Sequence, residues 1–168
     1  HSPFFSPDGQ WIGFQTSIPT KEGEVGLLRK VLIAGGAPPT TVCEAALLYG
    51  ASWGVGDTIV YAISDGGLWR VPAAGGVPEV LTTVDPKQGE YSHRLPHFLP
   101  DGKGVIFTIT SSYLPKWEEA RLAHLTLSTG ERYDLGPGAD ARYVSSGHLV
   151  FTRSGTLVAA PFNASTRD

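Results

Sequence analysis

The chain repeats a short pattern four times, and this repetition limits its fold more than any other feature. The segment FSPDG at Phe5–Gly9 returns as FLPDG at Phe98–Gly102, and weaker copies begin at Trp53 and Tyr143. The four leading aromatic residues are 48, 45 and 45 positions apart. A second aromatic residue closes each copy at spacings of 47, 46 and 44, and these residues are Phe14, Tyr61, Phe107 and Phe151. Two markers that shift together establish a repeat of about 46 residues.

Each copy has the pattern of short antiparallel strands joined by tight turns. Runs of β-branched and aromatic residues alternate with Gly, Pro, Asp and Ser. A third run follows the two that carry the aromatic markers, at Leu28–Ile33, Leu68–Val71, Leu122–Leu127 and Leu157–Ala160. A fourth run occurs in the first three copies and is missing from the last. The aromatic residues at repeat positions are predicted to be core, and only Trp117–Leu125 is compatible with a helical turn or two.

These units predict an all-β fold, and within that class a β-propeller. Four-stranded antiparallel units that cannot bury both faces alone pack around an axis as propeller blades. We expect about four blades, the last without its outer strand, in one domain over residues 1–168. Their predicted limits are about 3–43, 50–84, 95–136 and 140–163. Because both ends of such an array leave a blade uncovered, a fragment or partial ring is expected.

The composition supports a packed core and makes some partners improbable. Hydrophobic residues make up 41% of the chain and charged residues 17%, a balance that favours folding over disorder. The net charge of -3 provides no basic surface, so neither nucleic acid nor an anionic membrane is an expected partner. Apolar runs are far shorter than the roughly 20 residues of a membrane span. The single cysteine, Cys43, excludes an internal disulfide.

The repeated motif also resembles that of a known family. Ser6–Trp11, SPDGQW, and Leu99–Lys103, LPDGK, resemble the S-P-D-G-K repeats of TolB-like propellers, a WD40-like class. The segments around Trp53, Trp69 and His93 are similar to the propeller attached to bacterial serine/threonine kinases. The resemblance implies a non-catalytic interaction module of a larger assembly. It also implies a periplasmic or other extracytoplasmic location, with a cytoplasmic one left open.

One motif raises the question of catalysis. Gly50–Gly54, GASWG, fits the G-x-S-x-G nucleophile elbow, which requires a strand-turn-helix context. The repeat instead places Ser52 at the start of an inner strand, so we predict that the chain is not an enzyme. The motif keeps an alternative open, in which the chain is the accessory, substrate-gating propeller of a prolyl-oligopeptidase-type serine peptidase whose catalytic domain lies outside it.

Two histidines raise the question of a metal site. His93 and His97 are four residues apart and Glu90 is near them, and these are ligand types that zinc accepts. Pro96 prevents the helical arrangement of zincins, and the spacing reveals no third ligand. Neither a metal nor a cofactor is therefore predicted. The Asp-Gly pairs at 8–9 and 101–102 are interpreted as turns, in which Asp caps the backbone and Gly supplies a positive φ.

Four longer loops are predicted to form the binding face. They are Ser17–Gly26, Asp85–Pro96, Ser111–Ala120 and Gly136–Arg142. In a propeller, the connections that leave an outer strand share one face with the loops between the second and third strands. Aromatic and arginine side chains dominate binding energy, and the predicted ligand-binding residues are Tyr91, His93, Arg94, Trp117 and Arg142. The expected partner is a protein or a small ligand, and the open ends also suit a homodimer.

Overall fold

The computed structural model describes residues 2–163 and contains four antiparallel sheets in chain order. Blade 1 consists of β1 (Phe4–Phe5), β2 (Trp11–Thr20), β3 (Gly23–Leu32) and β4 (Thr40–Glu44). Blade 2 consists of β5 (Ala51–Gly54), β6 (Thr58–Ala62), β7 (Leu68–Pro72) and β8 (Glu79–Val80). Blade 3 consists of β9 (Ser92–Phe98), β10 (Gly104–Thr110), β11 (Arg121–Thr126) and β12 (Arg132–Pro137). Blade 4 consists of β13 (Ala139–Val144), β14 (His148–Arg153) and β15 (Thr156–Pro161).

Each sheet is a simple meander, in which neighbours in sequence are neighbours in the sheet. The predicted all-β, four-blade architecture is therefore confirmed, and blade 4 has three strands within the described residues. Residue 1 and residues 164–168 of the predicted domain lie outside that part. The only regular non-strand elements of residues 2–163 are 3₁₀ turns at Pro86–Gln88 and Trp117–Glu119. No helix in the described part is long and apolar enough to cross a bilayer.

The blades pack face to face, and three hydrophobic clusters fill the spaces between them. The cluster between blades 1 and 2 includes Phe4, Leu28, Val42, Trp53, Ile59, Tyr61 and Val71. The cluster between blades 2 and 3 includes Val60, Leu68, Phe98, Val105, Phe107, Ile109 and Leu125. The cluster between blades 3 and 4 includes Leu99, Ile106, Leu122, Ala141, Leu149 and Phe162. Successive side chains of a strand point to opposite faces, so a central blade contributes to two clusters at once.

One repeat aromatic departs from its predicted burial. Phe5 is 62% exposed, although its counterpart Phe98 is 8% exposed. The leading aromatic of each copy faces the preceding blade, and in the described chain blade 1 has none before it. Phe4 points the other way and packs on Trp53, with ring centroids 6.4 Å apart. The prediction that every repeat aromatic is core was wrong for Phe5 for this reason.

The predicted loops also need correction at three places. Ser17–Gly26 is mostly an extended hairpin, because the pairing of β2 with β3 continues to Thr20 and Gly23. The loop expected at Gly136–Arg142 is almost entirely strand, and only Gly138 separates β12 from β13. The loop that begins at Asp85 ends at Tyr91, since β9 starts at Ser92. Ser111–Ala120 is a connection between strands, as predicted.

Strand direction divides the connections between two faces of the array. Because successive strands run in opposite directions, segments 45–50, 63–67, 81–91 and 111–120 emerge on one side, which we call the loop face. Segments 6–10, 55–57, 99–103 and 145–147 emerge on the opposite side, which we call the turn face. The loop face therefore carries the longest irregular segments, 81–91 and 111–120.

Candidate functional site

A buried arginine lies on the loop face where blades 2 and 3 meet. Arg94 belongs to β9, and only 2% of its surface is exposed. Its Nε donates to the Ser92 hydroxyl at 2.8 Å, and Ser92 lies 2.8 Å from the hydroxyl of Thr110. Its Nη2 donates to the carbonyl oxygens of Ser64 and Tyr113, both at 3.2 Å. The guanidinium is thus held by groups from three segments of two blades.

Three tyrosines surround this guanidinium. The Arg94 guanidinium carbon lies 4.1 Å from the centroid of the Tyr49 ring, a separation typical of a cation–π contact. Tyr91 and Tyr113 interact with the same charge, and their rings meet edge to face with centroids 6.5 Å apart. Both residues are partly exposed, so the cluster reaches the surface of the loop face through them, while Arg94 lies beneath. Tyr49, Tyr91, Tyr113 and Arg94 are called the arginine–tyrosine cluster below.

The positive charge of Arg94 has no acidic counterpart in the described part of the chain. Every ion pair found among residues 2–163 involves another cation, and Arg94 contacts only neutral groups. Burial lowers the pKa of the Arg94 guanidinium, while the three nearby phenols oppose that shift. Buried charges are ordinarily paired, because removal from water is costly. The cluster therefore contains a buried positive charge that has no carboxylate partner among the described residues.

His93, the neighbouring predicted site residue, is fully buried and has a different environment. Its Nδ1 lies 2.7 Å from the Thr82 hydroxyl, which accepts the backbone N–H of Leu68. Its Nε2 lies 3.1 Å from a carboxylate oxygen of Glu90. Because Glu90 accepts and the Thr82 hydroxyl proton is free to donate, the ring is assigned as neutral with its proton on Nε2. Burial lowers the pKa of His93, which maintains the neutral form.

The Glu90 carboxylate joins this histidine to the outer strands of blade 3. Only 1% of the Glu90 side chain is exposed, and Arg132 lies 2.8 Å from one of its oxygens. Burial raises the pKa of Glu90, but hydrogen bonds from the Asp85 backbone, Arg132 and His93 outweigh it and lower the pKa overall. The charge of this group is thus fully compensated. We assign His93 and Glu90 to the structure of the blade 2–blade 3 interface, inaccessible to a ligand.

The two remaining predicted residues lie at separate places. Trp117 is 47% exposed in the 111–120 segment, close in sequence to Tyr113 and therefore on the loop face. Arg142 lies in β13 and pairs with Asp140 at 2.7 Å, so its charge is neutralised. It lines an open cavity of about 470 Å³ between the inner strands, together with Phe4, Trp53, His97 and Phe98. The structure therefore brings Tyr91 and Arg94 together and leaves Arg142 apart from them.

The residues that suggested catalysis or metal binding have structural partners. Ser52 lies inside β5, and its hydroxyl accepts the backbone N–H of Phe98 at 3.0 Å. Both ring nitrogens of His93 are engaged by Thr82 and Glu90. Among residues 2–163, no three His, Cys, Asp or Glu side chains are grouped closely enough to hold a metal ion. The nucleophile elbow motif consequently lacks the strand-turn-helix context that its chemistry requires.

Sequence reasoning missed two members of the cluster, Tyr49 and Tyr113. Tyr49 precedes the inner strand of blade 2, and Tyr113 lies between the second and third strands of blade 3. Neither is near Arg94 in sequence, so only the folding of the chain brings them to it. A usable signal did exist for Tyr49, because Tyr49 and Tyr91 each stand just before an inner strand.

Comparison with known proteins identifies the fold. No family model matches the chain, and no curated protein sequence is significantly similar to it. TolB from Acinetobacter baumannii has a TM-score of 0.61 at 16% identity, over 92% of this chain and 40% of that one. A manganese complex of oligogalacturonate lyase has a TM-score of 0.70 at 13% identity, over 100% and 51%. A prolyl endopeptidase structure has a TM-score of 0.58 at 12% identity, over 94% and 26%.

These similarities define the class of protein. The chain is a partial β-propeller, and it spans about half or less of the length of the propeller proteins that it matches. The predicted likeness to TolB-type propellers is confirmed at the level of the fold. The narrower resemblance to kinase-linked propellers stays a prediction.

Proposed function

We propose that this chain is a non-catalytic binding module of a larger extracytoplasmic protein, and that it engages a protein or ligand through its loop face. The supporting observation is the 111–120 segment, which presents three large side chains to solvent. Tyr113, Leu114 and Trp117 are 54%, 80% and 47% exposed. Contiguous exposed hydrophobic side chains of this kind mark interaction sites more often than ordinary surface.

The neighbourhood of this segment favours the same function. The Tyr113 carbonyl oxygen is held by Arg94, so the segment is anchored to the rigid blade 2–blade 3 interface at one point. A Lys116–Glu119 ion pair of 3.2 Å lies beside Trp117. Aromatic and arginine side chains on a rigid support are the typical anchors of binding energy. The turn face presents short Asp-Gly and Gly-rich turns instead.

Site-specific photo-crosslinking in the producing cells tests this function. A photoreactive amino acid at Tyr113 or Trp117 is expected to capture a discrete partner. The control is the same substitution at Thr129, in the connection between β11 and β12, which strand direction places on the turn face. Equal capture from both faces, or capture from Thr129 alone, would contradict the proposal. Capture of a peptidase domain by the loop-face positions would instead support the alternative role as a substrate-gating propeller.

A further inference from the structure

We propose that the arginine–tyrosine cluster is a receptor for a carboxylate group, with Arg94 as the residue that pairs with it. This inference deepens the proposed function, since it names the chemical group recognised on the loop face. The residues involved come from β9 and from the segments that contain Tyr49, Ser64, Tyr91 and Tyr113. None of them lies in a strand of blade 1 or blade 4. The site is therefore complete in this chain whether or not the ring is closed by further blades.

The guanidinium is oriented by its neighbours but not neutralised. Three of its N–H groups donate to the Ser92 hydroxyl and to the carbonyl oxygens of Ser64 and Tyr113. Nη1 donates no hydrogen bond to any residue between 2 and 163 that meets ordinary geometric limits. With Tyr49 stacked on it, the group is fixed and retains donor capacity. Such a pre-ordered donor loses little further entropy when it binds an anion.

The surrounding groups define which anion fits. Within the described residues, no lysine or second arginine is hydrogen-bonded to the cluster or stacked on its rings, so Arg94 is its single positive charge. A carboxylate carries one negative charge and accepts hydrogen bonds in the plane of a guanidinium. A phosphate dianion would leave one charge uncompensated in a nearly dry site. The phenol groups of Tyr91 and Tyr113 add hydroxyl donors, and their rings add apolar surface, for the remainder of the ligand.

The carboxylate can come from an acidic sugar or from a peptide C-terminus, and both present the same chemistry to Arg94. Matched probe pairs separate the two sources. Galacturonate and galactose differ at the carboxylate of a sugar, whereas acetyl-Ala-Ala and its amide differ at the carboxylate of a peptide. Acetate and acetamide form the minimal pair, and inorganic phosphate tests the preference for a single charge.

The experiment is a titration of the ¹⁵N-labelled full chain at constant ionic strength, followed by NMR. Acetate is expected to shift the Arg94 Nε resonance and the backbone amides of residues 91–94 with saturation. Acetamide should bind about tenfold more weakly or worse, because it cannot form a charge-assisted hydrogen bond. Equal shifts with acetate and acetamide, or shifts centred elsewhere, would overturn the proposal. Stronger binding of phosphate than of acetate would overturn it as well.

Substitutions identify the residue responsible. R94Q should weaken acetate binding about tenfold or more, since the charge is lost, and R94K should recover only part of it, since the planar fork is lost. R70Q removes the same charge from an exposed pair on blade 2 and should leave binding within about twofold. Unchanged acetate affinity in a folded R94Q would disprove the assignment.

Two milder variants decide the outcome if R94Q does not fold. Y91F and Y113F keep partly exposed rings and remove one hydroxyl each, so at least one of them should weaken acetate binding severalfold. Unchanged affinity in both would overturn the proposal. If photo-crosslinking succeeds at Tyr113 while acetate fails to bind, the binding module stands and the carboxylate receptor falls. If acetate binds at Arg94 while crosslinking fails, the carboxylate receptor stands and the binding module falls.

Discussion

Phe98 and Phe5 occupy the same position in two blades and have opposite environments. Phe98 pairs with Val105 and Phe5 with Ile12, and each partner stands four residues after the Asp of its Asp-Gly turn. Phe98 is nevertheless buried against blade 2, whereas Phe5 is 62% exposed. The repeat thus determines which side chain stands at a position, and the preceding blade determines whether it is buried.

The comparison extends from these two residues to whole faces. The interior interface between blades 2 and 3 holds a hydrophobic cluster and the buried Glu90–His93 network. The outward face of blade 1 presents Phe5, Ile18 and Ile33 to solvent. Polar groups that require exact partners therefore occur where neighbouring blades are both present, and the end face carries simple apolar side chains.

The sharpest test of the contrast exchanges the two phenylalanines for alanine. Phe98→Ala should lower the free energy of unfolding by about 3–5 kcal/mol, because it leaves a cavity in a packed interface. Phe5→Ala should change it by less than about 0.5 kcal/mol, as is usual for exposed positions. Urea denaturation followed by tryptophan fluorescence measures both. Similar losses in the two variants would show that a further contact covers Phe5 in solution.

Ion pairs offer a second matched comparison. Glu90→Gln should cost about 3 kcal/mol, since it removes the buried carboxylate charge that pairs with Arg132 and accepts from His93. Glu79→Gln breaks the exposed Arg70–Glu79 pair of 2.8 Å on blade 2 and should cost less than about 1 kcal/mol. Thermal unfolding by circular dichroism gives the two values side by side. A small loss for Glu90→Gln would show that its network is dispensable.

The interior is also expected to be the pH-sensitive region. Burial lowers the pKa of His93 and of His97, with Arg142 adding to the effect at His97. The unfolded chain, with histidine pKa values of about 6.5, then binds more protons than the folded one as the pH falls below that value. Stability should drop by about 1 kcal/mol between roughly pH 7.5 and 5.5. His93→Gln should reduce the dependence of the free energy of unfolding on pH. An unchanged dependence in that variant would show that His93 does not cause the effect.

The end face provides the smallest predicted effect, a weak self-association. We propose that two chains pair through their open ends, since the apolar face at Phe5 resembles the faces that other blades bury. Light scattering over a concentration series should show a mass rising from 17.9 kDa toward twice that value. Phe5→Glu should hold the chain at the lower mass. A monomer at all concentrations would show that the exposed face alone does not drive pairing.

The fold was predictable because its information is local and repeated. The Asp-Gly turns recur at matching positions, with Asp8 and Asp101 each accepting the backbone N–H two residues later. Strand ends were less predictable, because pairing extends them beyond local signals. The β2–β3 ladder reaches Thr20 and Gly23 because Ile18 and Val25 continue to pair, although Pro19, a residue depleted in strands, lies within it.

The site was predictable only in part, because it depends on contacts between blades and not on a local, repeated pattern. Tyr91 and Arg94 were identified because aromatic and arginine side chains near a loop suggest binding. The burial of His93 and the contribution of Tyr49 depend on how blades stack, which no single repeat contains. Arg142 met the same chemical criteria, but its pairing with Asp140 distinguishes it from Arg94. Charge compensation, a three-dimensional property, separates the two arginines.

Gly138, the single residue between blades 3 and 4, restricts which sequence changes that junction can accept. Gly138 has a φ of +157°, and an added Cβ would lie 2.7 Å from the Phe151 ring. A larger residue does not fit there unless the side chains of Phe151 and Leu122 shift. Segments 81–91 and 111–120 meet no such restriction, since exposed connections accept insertions readily. New sequence, and with it new specificity, can therefore accumulate beside the arginine–tyrosine cluster, while the junction of the last two blades stays fixed.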